Sequence, residues 1–144
     1  LPNLWLLTSI EDQPTADARI PMLLATPAAV RGVSVEPLLG PVKMRFDWLP
    51  HDELDGEFSR LDWVIVGGES GPGARPCDLA WIRAIVAQCK AAAVPCFVKQ
   101  LGSEWARGGG VTWRNSQAYR WNRDRKGGDP SEWPADLRVK EFPR

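Results

Sequence analysis

Asp62-Trp63-Val64-Ile65-Val66-Gly67-Gly68-Glu69-Ser70-Gly71-Pro72-Gly73-Ala74-Arg75-Pro76 decides how the chain is read. Its first half, Trp63 to Gly68, is β-branched and aromatic and reads as the clearest strand. Its second half is a glycine-rich turn. Downstream, Asp78 caps a predicted helix to about Ala93, with Leu79, Ile82, Val86 and Cys89 at helical spacing. Pro95 ends that helix, and Cys96-Phe97-Val98-Lys99-Gln100 reads as the next strand. Strand, helix, strand in this order implies parallel pairing with a right-handed crossover.

Upstream the pattern repeats. Leu4 to Ile10 is a mostly apolar run, as expected for a strand buried on both faces. Thr15 is the expected cap of a helix to about Thr26, with Ile20, Leu23 and Leu24 on one face and Pro21 kinking or restarting it. Val30 to Val35 reads as a second strand. Residues 37–61 contain Pro37, Pro41 and Pro50 and predict only short helical turns. The fold class is therefore α/β, built from parallel βα units.

Hydrophobic residues are 44% and charged residues 25% of the 144, an ordinary globular balance. Net charge is zero, so no global field recruits a polyanion. No apolar run approaches the ~18 residues that span a bilayer, and no signal peptide is visible. Cys77, Cys89 and Cys96 match no zinc or cluster spacing, so no metal site is expected. Their odd number points to a reducing compartment, and the expected location is cytoplasmic. The charge is uneven: residues 107–144 hold nine Lys/Arg against five Asp/Glu, leaving 1–106 net acidic. Gly108-Gly109-Gly110 marks the expected boundary between an α/β domain, 1–106, and a basic, Trp/Arg-rich extension, 107–144. In that extension a hairpin is an option before the turn at Gly127-Gly128-Asp129-Pro130.

Three strands end in an acid: Ile10 leads to Glu11, Val35 to Glu36, and Gly68 to Glu69; the fourth ends in Lys99-Gln100. Parallel strands put their C-termini on one face, where sites of such folds sit. The candidate catalytic set is Glu11, Glu36, Glu69 and Lys99. The competing reading is that polar strand ends merely meet water or cap loops. In the turn, Gly67, Gly68, Ser70 and Gly71 are candidate anion-binding positions, with Arg75 as a clamp and Gln100 beside them. The turn lacks the Gly-Lys-Ser/Thr ending of a P-loop and the glycine spacing of a dinucleotide fingerprint. A tight strand-to-helix turn is the plain alternative. The turn holds the Glu69-Ser70-Gly71 sequence rather than a G-x-S-x-G elbow, so a serine triad is unsupported. His51, in a polar loop, is expected to be solvated. Trp113, Arg114, Trp121 and Arg123 interleave aromatics with cations, as a nucleic-acid surface would; the alternative is packing of the tryptophans on the domain.

Several strings resemble one family: Leu1-Pro2-Asn3-Leu4-Trp5, Ser9-Ile10-Glu11-Asp12-Gln13, Thr26-Pro27-Ala28-Ala29-Val30-Arg31, Ser34-Val35-Glu36-Pro37-Leu38-Leu39-Gly40-Pro41, Asp62 to Gly71, and Phe97-Val98-Lys99-Gln100-Leu101-Gly102. It is the phage-associated three-cysteine-motif family named after phage gene products thirty-seven and sixty-eight. The likeness runs nearly the whole chain, to Trp133 through Pro143. Full-length members look like barrel proteins of radical S-adenosylmethionine type, with a cysteine cluster for an iron–sulfur centre in their N-terminal half. This chain resembles only the C-terminal half. The resemblance thus implies half of a TIM-barrel-like, radical-SAM-type fold with a C-terminal extension, no cofactor in this chain, and no radical activity on its own. A half barrel leaves apolar surface uncovered, so a homodimer or the missing N-terminal half is the expected partner. Three functions follow: part of a phage-related enzyme with a small-molecule site, a nucleic-acid-binding module, or an interaction protein of phage origin.

Overall fold

The computed structural model describes residues 2–49, 60–108, 111–114, 117–120 and 124–144. Val, Ile and aromatic runs form β1 (Trp5–Ile10), β2 (Val30–Val35), β3 (Trp63–Gly67) and β4 (Cys96–Gln100). They make one all-parallel sheet in the order β1-β2-β3-β4. Consecutive strands are neighbours, and the helices that follow β1 and β3 pack on the same face of the sheet. That face carries the core. Ile10, Val33, Val35, Val64, Val66 and Val98 meet Ala16, Ile20 and Leu23 of α1 (Gln13–Leu24) and Ile82, Ile85 and Cys89 of α2 (Leu79–Ala91).

Between β2 and β3, among the described residues, a 3₁₀ turn (Phe46–Trp48) stands where a helix would be. Leu38, Val42, Met44 and Trp48 supply the apolar cover. Gln88 of α2 pins that segment, accepting from the Met44 amide (2.8 Å) and donating to the Val42 carbonyl (3.1 Å).

Four local expectations are corrected. The cap of α1 is Asp12, which accepts from the Thr15 amide (3.0 Å); Thr15 completes a capping box by accepting from the Asp12 amide. Pro21 lies inside α1 and does not restart it, since the helix runs unbroken from Gln13 to Leu24. β1 is not buried on both faces: Trp5 and Leu7 are exposed, because β1 is an edge strand and, among the described residues, no helix covers that side. A short helix, α3 (Ser103–Gly108), follows β4 where the sequence predicted none.

Beyond α3, β5 (Val111–Arg114) and β6 (Gln117–Arg120) form the antiparallel hairpin. The tail then returns to the sheet. Trp133 and Leu137 are buried in the common core. Residues 139–141 lie antiparallel along the outer edge of β4, with the Val98 amide on the Val139 carbonyl and the Glu141 amide on the Cys96 carbonyl, both 2.9 Å.

Candidate functional site at the strand C-termini

Parallel strands place Glu11, Glu36, Glu69, Lys99 and Gln100 at one end of the sheet. Each glutamate there holds a cation. Glu11 takes Arg19 of α1 (3.1 Å), Glu36 takes Lys99 (3.0 Å) and Glu69 takes Arg75 (2.7 Å). The cations are outermost: the Lys99 side chain is 54% exposed against 17% for Glu36. A ligand arriving at this rim therefore meets ammonium and guanidinium groups first, with carboxylates beneath them.

The spacing predicts Lys99 as the complement of Glu69, and the structure pairs it with Glu36 instead. Two causes act together. Glu69 is turned into its own loop, accepting from the Arg75 amide (2.8 Å), Nε (2.8 Å) and Nη2 (2.7 Å). β3, which separates Lys99 from Glu36, ends in Gly67 and Gly68, so no side chain blocks the long lysine from crossing it. Hydrogen bonding from Arg75 holds the Glu69 carboxyl down at about 2. Glu69 is thus a permanent anion near neutral pH, suited to orienting a donor rather than to proton transfer.

The glycine-rich loop is occupied by its own protein. The Gly68 amide donates to the Gln100 carbonyl (3.1 Å), the Gly71 amide to Ser103 Oγ (3.0 Å) and the Ala74 amide to the Gly71 carbonyl (3.3 Å). Arg107 of α3 donates to the carbonyls of Gly71, Pro72 and Ala74. Gln100 is buried and its Nε2 donates to the Gly68 carbonyl (2.9 Å). Gly67 and Gly68 sit against Gln100 to Gly102: an added Cβ would be tight at Gly67, 3.2 Å from the Gln100 carbonyl oxygen, and would collide with the main chain at Gly68. Close packing accounts for both glycines, and among the loop candidates Ser70 and Arg75 face water.

Arg19, Ser103 and Arg107 were not legible as members of this region. Arg19 is one of two charged residues on α1, with Asp17, and nothing local points it at Glu11; Ser103 and Arg107 belong to the unpredicted α3. In the alternative nucleic-acid set, Trp113 and Arg114 lie on β5, whereas Trp121, Arg123 and the loop residue His51 lie outside the described residues.

The chain belongs to the DUF5131 family, described as proteins of unknown function, with the match covering residues 1–130. No curated protein and no solved structure matches it. Among the described residues of this DUF5131 chain, no three His, Cys, Asp or Glu side chains are grouped to hold a metal, and no helix is long and apolar enough to cross a membrane. The cysteines do not suit an iron–sulfur cluster. Cys77 precedes α2 and Cys89 lies near its far end, roughly 18 Å apart at 1.5 Å per residue. Cys89 and Cys96 are buried, and their mutual hydrogen bond together with burial pushes the Cys89 thiol up. A cavity of about 970 Å³ lies between α2 and the tail, lined by Lys90, Cys96 and Glu141. It opens at the N-terminal end of β4, away from the glutamate rim.

Proposed function

We propose that this chain is the C-terminal, substrate-side part of a phage-related, parallel βα-barrel enzyme. Its ligand is a small polar molecule held over the strand C-termini by Glu11, Glu36, Glu69 and Lys99. One observation carries the reading: four parallel strands in sequential order deliver three carboxylate–cation pairs to the end of the sheet where ligands of such folds bind. Lys99 offers its remaining N–H donors to ligand oxygens, and Arg75 adds a planar donor set. Glu36 holds Lys99 at the rim through their 3.0 Å ion pair.

S-adenosylmethionine and the iron–sulfur cluster belong, by the resemblance, to full-length relatives. The thiols of this chain do not fit the cluster, and no radical activity is proposed for the chain on its own. Backbone amide NMR, titrated with S-adenosylmethionine and separately with inorganic phosphate, tests the reading. Shifts should gather at Glu11, Glu36, Gly67 to Arg75 and Lys99, and disappear in Lys99→Ala while its unfolding curve stays near wild type. No shift, or shifts unaffected by Lys99→Ala, would overturn it. Salt-dependent shifts with single-stranded DNA over Val111 to Lys126 would favour the nucleic-acid alternative.

A further inference from the structure

We propose that Arg107 of α3 is a positioning residue for the rim. It holds the glycine-rich loop in the shape that seats Arg75 on Glu69, and it leaves one edge of the Arg75 guanidinium for a ligand oxyanion. Inside this loop Gly71 lies at φ +117°, a conformation glycine adopts freely, and among the described residues nothing lies within 4 Å of a Cβ built at Gly71 or Gly73. Side-chain packing therefore does not hold the turn; hydrogen bonds from α3 do. Ser103 is buried, its amide donates to the Glu69 carbonyl (2.8 Å), and its Oγ accepts from the Gly71 amide (3.0 Å). Arg107 lies one helical turn further on, at i+4 from Ser103 and so on the same face. Its Nη1 donates to the carbonyls of Gly71 (3.3 Å) and Pro72 (3.5 Å), and its Nη2 to that of Ala74 (3.2 Å). Three carbonyl oxygens of one turn thus converge on one guanidinium. Their partial negative charges repel one another, and a planar group with several donors satisfies all three at once where a lysine could not.

Arg75 follows Ala74 directly, so the clamp acts on it through one peptide bond. The Arg75 amide and Nε both donate to Glu69 Oε2 (2.8 Å each), and Nη2 donates to Oε1 (2.7 Å). A backbone amide reaches that carboxylate only if residues 71–74 bring the chain back over Glu69. The Arg107 bonds hold that return path. The atoms also name the ligand group. Glu69 takes the Nε–Nη2 edge, which leaves Arg75 its Nη1–Nη2 edge, a second pair of parallel donors on a side chain that is 58% exposed. Such an edge suits a carboxylate or a phosphoryl group. Glu11 adds to Glu69 in stabilising the Arg75 charge, as expected of a guanidinium that leans over the rim. The ligand group rests on the function proposed above; the clamp on Glu69 and Arg75 stands without it.

Carbon-detected NMR of the full chain reads the Glu69 carboxyl directly. In wild type it should stay ionised until the pH nears 2, and in both Arg107→Met and Arg107→Lys its titration should move toward 4.5, by about one pH unit or more. Lysine keeps the charge and loses the fork, so the two variants separate positioning from a through-space effect of the charge. Arg107 is exposed, so both variants should fold, as circular dichroism will report. Asp136, held below its ordinary value by Arg83, makes none of these contacts and should not move. Glu69 staying near 2 in either variant, with or without a loss of stability, would overturn the proposal, and so would a rise that Asp136 shares. Titration with inorganic phosphate and, separately, acetate should shift the Arg75 amide in wild type and tell phosphoryl from carboxylate. Binding should be about tenfold weaker in Arg107→Lys, and equal affinity would count against positioning. If neither anion shifts that amide in wild type, the oxyanion and the function proposed above both fall, while the Glu69 titration still decides the clamp.

Discussion

Gly68→Ala should destabilise the fold by about 3 kcal/mol or more, although it adds a single methyl group. The new Cβ would overlap the Leu101 carbonyl oxygen and lie 2.9 Å from its carbon and 3.0 Å from the Gly102 Cα. All three are main-chain atoms, so no side chain can swing aside. The loops after β3 and β4 must separate. Overpacking of this kind costs about 1–3 kcal/mol. Separation also stretches the Gly68 amide to Gln100 carbonyl bond (3.1 Å) and the Gln100 Nε2 to Gly68 carbonyl bond (2.9 Å), each worth about 1 kcal/mol net. Gly73→Ala, five residues along the same loop, is the control. Nothing lies within 4 Å of its Cβ, so its effect should stay within about 0.5 kcal/mol. Urea unfolding followed by tryptophan fluorescence measures both, with equal m-values for the comparison. If Gly68→Ala unfolds within about 1 kcal/mol of Gly73→Ala, the close-packing account of this motif is wrong.

Three further outcomes follow. The Glu69 carboxyl lies near 2 in the folded chain, below its ordinary 4.5, so its contribution is present above pH 4.5 and lost as pH falls toward 2; urea midpoints of wild type and Glu69→Gln should converge across that window, and a constant gap would refute the Arg75 assignment. Trp133→Ala should cost about 3–5 kcal/mol, since the ring is buried and its Nε1 holds the Gly127 carbonyl at 2.9 Å; a thermal melt near that of wild type would show that the tail is dispensable. Burial raises the Cys77 thiol to about 12 and Cys89 also upward, so iodoacetamide at mildly alkaline pH should label native protein slowly and urea-unfolded protein quickly; rapid native labelling would contradict the packing around α2.

Much of the parallel layer was legible because its signals are local. β2 and β4 begin and end where composition places them, and Asp78 caps α2 as its position before the apolar period indicates. Asp12 was missed in favour of Thr15 because a capping box puts an eligible residue at both ends of the same turn. The apolar run of β1 was over-read, since composition does not say whether a helix will cover a face. α3 is too short to show a helical period.

The sequence by itself determined the alternation of strands and helices, the acid after each of three strands, and the glycines at the end of β3. Parallel pairing then brings the three glutamates to one rim. Only the tertiary structure decided which cation each glutamate holds. Glu36 and Lys99 are 63 residues apart, and they meet because β3 ends without side chains between them. Tertiary structure also decided that residues 139–141 close the edge of β4. Capping and periodicity are properties of neighbouring residues, whereas ion pairing and edge coverage depend on which distant segments the packed core brings together.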